Sequence, residues 1–119
     1  MYRMAVIGCG CHAQWAVMPA IRASGCFELA AVADPNPQTP ERVGDAAVRW
    51  YAEARRMLEE ERPDAVFVAT PVEAHAAMTR LALEAGCHVV CEKPMAADRA
   101  KCEAMLAAAR AADRLLAID

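Results

Sequence analysis

Six short apolar runs recur along the chain: Met4-Ala5-Val6-Ile7, Phe27 to Ala33, Val48 to Tyr51, Ala65 to Ala69, His88 to Cys91 and Leu115 to Ile118. They are largely continuous rather than alternating, the pattern of strands covered on both faces in a parallel sheet. Between them the apolar period lengthens to that of helices. The first helix is predicted from about His12 to Ser24, ending at Gly25, with Trp15, Met18 and Ile21 as its packing stripe. Pro35-Asn36-Pro37-Gln38-Thr39-Pro40 excludes regular structure, because proline lacks the amide donor and restricts its neighbour. A short helix is expected over Glu41 to Ala47 and a longer one over Ala52 to Glu61. In the latter, Arg55 and Arg56 against Glu59, Glu60 and Glu61 read as a solvated face of charge pairs. After the Arg62-Pro63-Asp64 break and the fourth strand, Thr70 is expected to cap a helix, with Pro71 in its first position and Glu73 completing a capping box. That helix stops at Gly86, and Asp98 caps the last one, which runs to about Ala112.

Strands alternating with helices predict an α/β fold, a doubly wound parallel sheet with strand order 3-2-1-4-5-6 and one dinucleotide-binding domain over residues 1–119. Right-handed crossovers then place the first and fourth strands side by side. The ends of strands one, four and five share an edge, so the turns after them line one crevice.

The turn after the first strand is Gly8-Cys9-Gly10-Cys11-His12-Ala13, of the form G-x-G-x-x-A. Gly8 allows a sharp turn, Gly10 lets backbone approach a pyrophosphate, and Ala13 lets the helix pack close to the sheet. Free amides and the positive end of the helix dipole then face the phosphates, with Cys11 and His12 in the helix's first turn. Asp34, at the end of the second strand and 21 residues after Ala13, is placed to accept hydrogen bonds from the adenosine ribose. A carboxylate there repels a 2′-phosphate, so NAD is expected over NADP.

Composition adds exclusions. The chain has 119 residues, 57% hydrophobic and 24% charged, which excludes a disordered chain. No apolar stretch reaches the roughly 18 to 20 residues of a membrane span. Met1-Tyr2-Arg3-Met4 leads straight into the first strand, leaving no room for a signal peptide, and a cytoplasmic location is expected. With a net charge of −3 and scattered basic residues, neither nucleic acid nor an anionic membrane is an expected partner. The cysteines at positions 9, 11, 26, 87, 91 and 102 form no C-x-x-C pair, so buried free thiols are expected and no metal site.

The glycine turn, Asp34, Ala69-Thr70-Pro71 with His75, and above all Ala85-Gly86-Cys87-His88-Val89-Val90-Cys91-Glu92-Lys93-Pro94 resemble the N-terminal domain of the glucose–fructose oxidoreductase and inositol dehydrogenase family, Gfo/Idh/MocA. The resemblance implies an NAD(P)-dependent oxidoreductase of sugars, cyclitols or related polyols. It implies that Lys93 is the active-site lysine, donating a hydrogen bond to the substrate oxygen as hydride moves. A lysine at the end of a central strand suits that task, and the chain has only one other, Lys101. Glu92 resembles the family's cofactor-contacting glutamate, Thr70 and Pro71 line the crevice, and Pro94 fixes the loop, a cis bond being one way. His75 matches the family's histidine in the helix after the fourth strand, which either hydrogen-bonds near the cofactor or caps and packs, with packing the favoured expectation, and His12 and His88 are expected to be non-catalytic. Val72 departs from the family pattern, where asparagine often stands. Family members carry a second domain that supplies substrate contacts, whereas this chain stops at Asp119. The other reading is a nucleotide-binding module without catalysis, a redox-sensing regulator or assembly partner, with homo-oligomerisation possible.

Overall fold

The computed structural model describes every residue from Met1 to Asp119. Its strands are β1 (Tyr2–Ile7), β2 (Phe27–Ala33), β3 (Arg49–Tyr51), β4 (Ala65–Val68), β5 (His88–Cys91) and β6 (Leu116–Ile118). They form one parallel sheet in the order β3-β2-β1-β4-β5-β6, as the sequence pattern predicts. The connecting helices are α1 (Met18–Ala23), α2 (Thr39–Val43), α3 (Ala54–Glu61), α4 (Val72–Glu84) and α5 (Arg99–Ala112).

Continuous apolar strands bury both faces, because neighbouring side chains point to opposite sides. Val6 is in register with Val32 and Phe67, and all three face Val17, Met18 and Ile21. Ala5, Ile7, Val66, Val68 and Val89 point the other way, onto Met57, Leu58, Leu83 and Met105. Met57, Leu83 and Met105 are completely enclosed. Each contributes roughly 1.5–3 kcal/mol of burial.

The first helix departs from expectation. A π-helical turn at Ala13–Val17 precedes α1, and the Met18 amide donates to the Ala13 carbonyl, five residues back. The reason is Pro19, which has no amide and whose ring would clash with the carbonyl four residues earlier. Widening the turn ahead of Pro19 shifts the buried stripe to Ala13, Val17, Met18 and Ile21 and turns Trp15 outward, 80% exposed rather than packed.

Other boundaries move by a few residues. The short helix is Thr39–Val43, closed by Gly44 at φ 65, and β3 starts at Arg49. Thr70 does not cap α4: Pro71 occupies that position, no side chain makes the capping bond, and the Thr70 hydroxyl donates to the Pro71 carbonyl at 3.2 Å. Asp98 does cap α5, accepting from the Lys101 amide at 2.9 Å.

The charged face of α3 also differs from expectation at its last residue. Glu61 is buried, and its carboxylate accepts from the Tyr51 hydroxyl at 2.5 Å and from Arg3 at 2.6 Å, with Arg49 at 3.0 Å. Burial alone would raise its pKa, but the hydrogen bonds from Tyr51 and Arg3 and the two guanidinium charges outweigh it and hold the group below its ordinary value. Burial and the bonds to Glu61 and Glu60 push the Tyr51 hydroxyl up to about 12. This cluster ties β1, β3 and the end of α3 together.

Candidate functional site

The turn after β1 is shaped by backbone contacts. Gly8 has φ 99, and its amide donates to the Ala33 carbonyl at 2.8 Å, holding the turn against β2. A Cβ at Gly8 would lie 2.7 Å from the Ala69 carbonyl oxygen, so only glycine fits where β1 and β4 end together. At Gly10 the opposite holds: a Cβ there would meet nothing within 4 Å, because the turn faces open space. The amides of Gly10, Cys11 and His12 find no acceptor within the protein. Three free N–H groups at a helix start form a ready site for an anion. Ala13 opens the π-helical turn and is buried against the sheet with Val6, Val32 and Phe67.

Asp34 closes the other side of the crevice. One carboxylate oxygen accepts from the Cys9 amide at 2.8 Å, the other from the Asn36 amide at 2.9 Å, and the indole of Trp50 donates to its carbonyl at 2.9 Å. The carboxylate is therefore aimed by backbone and keeps lone pairs for further donors. Burial first, then the nearby Asp34 charge, push the Cys9 thiol up, against the opposing pull of Arg42. Cys9 thus stays a thiol, one of three buried cysteines with Cys87 and Cys91. Cys11 and Cys26 are exposed, contrary to the expectation of buried thiols throughout. No cluster of three metal-ligating side chains occurs.

Gly8, Gly10, Cys11, His12, Ala13, Asp34, Thr70 and Pro71 line one cavity of about 600 Å³ at the carboxyl ends of β1, β2 and β4. Sequence reasoning missed other parts of its wall, Ala74 and Met78 on α4 and Ala52 and Ala54 before and in α3. The four-residue spacing from Ala74 to Met78 was the available signal, since it places both on one helix face.

The Glu92-Lys93-Pro94 turn lies beside this cavity rather than in its wall, and two contacts join them. His12 Nε2 is 2.9 Å from a Glu92 carboxylate oxygen, which links the glycine turn to the turn after β5. His75, only 2% exposed, has Nδ1 2.8 Å from the Pro94 carbonyl oxygen and Nε2 2.9 Å from that of Thr70. The Lys93–Pro94 bond is cis. The Lys93 amide donates to the Asp119 carbonyl at 2.8 Å, while its side chain is exposed and forms no ion pair. Glu92 pairs with His12 instead. His88 lies at the opposite end of the sheet, accepting from the Leu115 amide, and has no part in the crevice.

Fold and crevice together define a dinucleotide-binding domain of the Rossmann type. Residues 2–119 match the oxidoreductase family with an NAD-binding Rossmann fold, and the chain belongs to that family, Gfo/Idh/MocA. It is 37% identical over 118 residues to dTDP-3,4-didehydro-2,6-dideoxy-alpha-D-glucose 3-reductase of Actinomadura kijaniata, which covers 96% of this chain and 35% of that protein. D-glucoside 3-dehydrogenase of Escherichia coli is 36% identical over 121 residues, covering 98% and 34%. Among solved structures, the WlbA dehydrogenase of Bordetella pertussis in complex with NADH and UDP-GlcNAcA superposes with a TM-score of 0.92 at 30% identity, over 99% of this chain and 36% of that one. A 3-ketoreductase of A. kijaniata in complex with NADP and TDP-benzene gives 0.91 at 33% identity, over 99% and 37%. The chain spans about a third of the length of these relatives. No helix is long and apolar enough to cross a membrane.

Proposed function

We propose that residues 1–119 are the cofactor domain of an oxidoreductase that moves hydride between a nicotinamide dinucleotide and a carbonyl or alcohol carbon of a sugar, cyclitol or related polyol. The observation that carries this is the meeting of three free amides, Gly8 and Asp34 around one cavity, with the Glu92-Lys93-Pro94 turn bonded to its rim. Gly8, Gly10, Cys11, His12 and Ala13 form the pyrophosphate turn, Asp34 takes the ribose hydroxyls, and Thr70, Pro71 and Glu92 carry the contacts on the far side.

The bound dinucleotide supplies the hydride chemistry, and this chain's residues supply position and proton control. Lys93 donates to the substrate oxygen and passes a proton to or from it, and Pro94 fixes the loop. The exposed, unpaired ammonium of Lys93 fits that task, being free to turn toward a ligand. We favour NAD over NADP, because the aimed Asp34 carboxylate would lie against a 2′-phosphate, although structural relatives hold both NADH and NADP. The substrate wall lies outside these residues.

The test is a fluorescence titration of the chain with NADH and NADPH beside Asp34→Ala. NADH is expected to bind more tightly, with the preference lost in the variant. A folded chain that binds neither sinks the proposal. In a protein that also carries the substrate wall, Lys93→Ala is expected to cut turnover on the order of 10²–10⁴-fold with NADH binding retained.

A further inference from the structure

Gln14, in the π-helical turn, is half-buried, and its side-chain amide reaches back into the glycine turn. Its Nε2 lies 3.1 Å from the Cys9 carbonyl oxygen and 3.2 Å from that of Gly10. Both partners are acceptors, so the NH2 end of the amide faces them and donates to each. The Gly10 carbonyl also takes the Gln14 backbone amide at 3.1 Å, whereas the Cys9 carbonyl has no other donor in the chain.

A peptide group is planar, and in the trans form its C=O and N–H point in opposite directions. The single cis bond of the chain is Lys93–Pro94, so the peptides on either side of Gly10 are trans. The Cys9 carbonyl shares its peptide with the Gly10 amide, and the Gly10 carbonyl shares its peptide with the Cys11 amide. Gln14 therefore grips, from behind, the two peptides whose N–H groups are two of the three left free at the crevice. These same peptides flank a glycine, where no Cβ restricts rotation and nothing lies within 4 Å of the space a Cβ would fill. Left unbraced, a turn of that freedom presents its amides in many directions.

We propose that Gln14 is a positioning residue for the dinucleotide, aiming the Gly10 and Cys11 amides at the pyrophosphate by holding the Cys9 and Gly10 carbonyls on the opposite side. This role rests on the cofactor reading of the crevice. Gln14 is not part of the cavity wall, so its effect on a ligand passes through the two peptides. Pre-aimed amides spare the ligand the entropy of ordering the turn, which makes the effect one on affinity. The fold depends on it little, because a carbonyl on an open turn takes water in place of the lost donor.

The test compares the 119-residue chain with Gln14→Met, which keeps the length of the side chain and removes the donor. NADH and ADP, which both carry a diphosphate, are each expected to bind roughly tenfold more weakly to the variant. Adenosine, which has no phosphate, should bind both chains alike, and the melting temperature should stay within about 2 °C. In amide NMR spectra the Gly10 and Cys11 signals should move or broaden in the variant while those of β1 and β4 keep their places. An unchanged NADH affinity overturns the proposal, as does an equal loss for adenosine or a Gly10 and Cys11 pair that does not respond. If the folded wild type binds neither NADH nor ADP, the cofactor reading fails instead, and the amide signals still decide whether Gln14 braces the turn. Should Gln14→Met not fold, the wild type decides alone: its Gln14 side-chain amide protons are expected to exchange slowly with water, and exchange as fast as that of a free glutamine overturns the brace.

Discussion

The two ends of the sheet handle polar groups in opposite ways. At the amino ends of the strands and along α3, charges are consumed inside the chain: Glu61 takes Arg3, Arg49 and Tyr51, and Asp64 accepts the Arg3 amide at 2.8 Å. At the carboxyl ends, three amides and the Lys93 side chain have no internal partner. Saturated groups define the fold, and groups left open define where a ligand is bound. Substitutions at the first end should change stability and leave binding intact, and substitutions at the second should do the reverse.

Gly8 should break that division most sharply. It belongs to the open end, but Gly8→Val forces a Cβ within 2.7 Å of the Ala69 carbonyl oxygen at φ 99. The backbone strain alone is worth roughly 1–3 kcal/mol, and the clash adds to it. A thermal melt is expected to fall by on the order of 10 °C or more, and an unchanged melting temperature would contradict the geometry of the turn.

Glu61→Ala probes the saturated end. It leaves the buried Tyr51 hydroxyl without its strongest acceptor and should cost roughly 1–3 kcal/mol in urea unfolding, with NADH affinity unchanged. The wild type carries this contribution above the ordinary glutamate pKa and loses it as pH falls through the lowered value in the fold. The gap between wild type and variant should therefore narrow in acid. A gap that widens there would assign the stabilisation to another group.

Asp98→Ala sharpens the comparison with a smaller effect. Asp98 stands on the same side of the molecule as the crevice, yet its carboxylate is spent on the Lys101 amide. Denaturant unfolding should show a loss of about 1 kcal/mol, with no change in NADH binding. A binding defect without a stability defect would mean that position on the molecule, rather than internal pairing, decides the outcome.

The sheet order was legible because the signals for it are local and repeated: apolar runs of strand length, glycine at helix ends, and an acid after the second strand. The glycine turn and Asp34 were legible for a related reason, since backbone shape demands particular residue types there. Trp15 was not, because its direction depends on how Pro19 disturbs the turn before it. Glu61 looked like its neighbours in a charge run, and only the three-dimensional approach of Arg3 from β1, 58 residues away, makes it a buried anchor. His75 carried no sequence mark of its two carbonyl partners, which come from separate turns.

The placing of β1 in the middle of the sheet also bears on how the chain assembles. Its first strand pairs on one edge with β2, close by in sequence, and on the other with β4, and the Arg3–Asp64 contact that marks this seam joins residues 61 apart. Until that partner arrives, β1 presents an unpaired strand edge. The β1–β4 pairing closes the longest stretch of chain between neighbouring strands, so a substitution that weakens this seam should slow folding more than one that weakens a helix, which refolding kinetics would read directly.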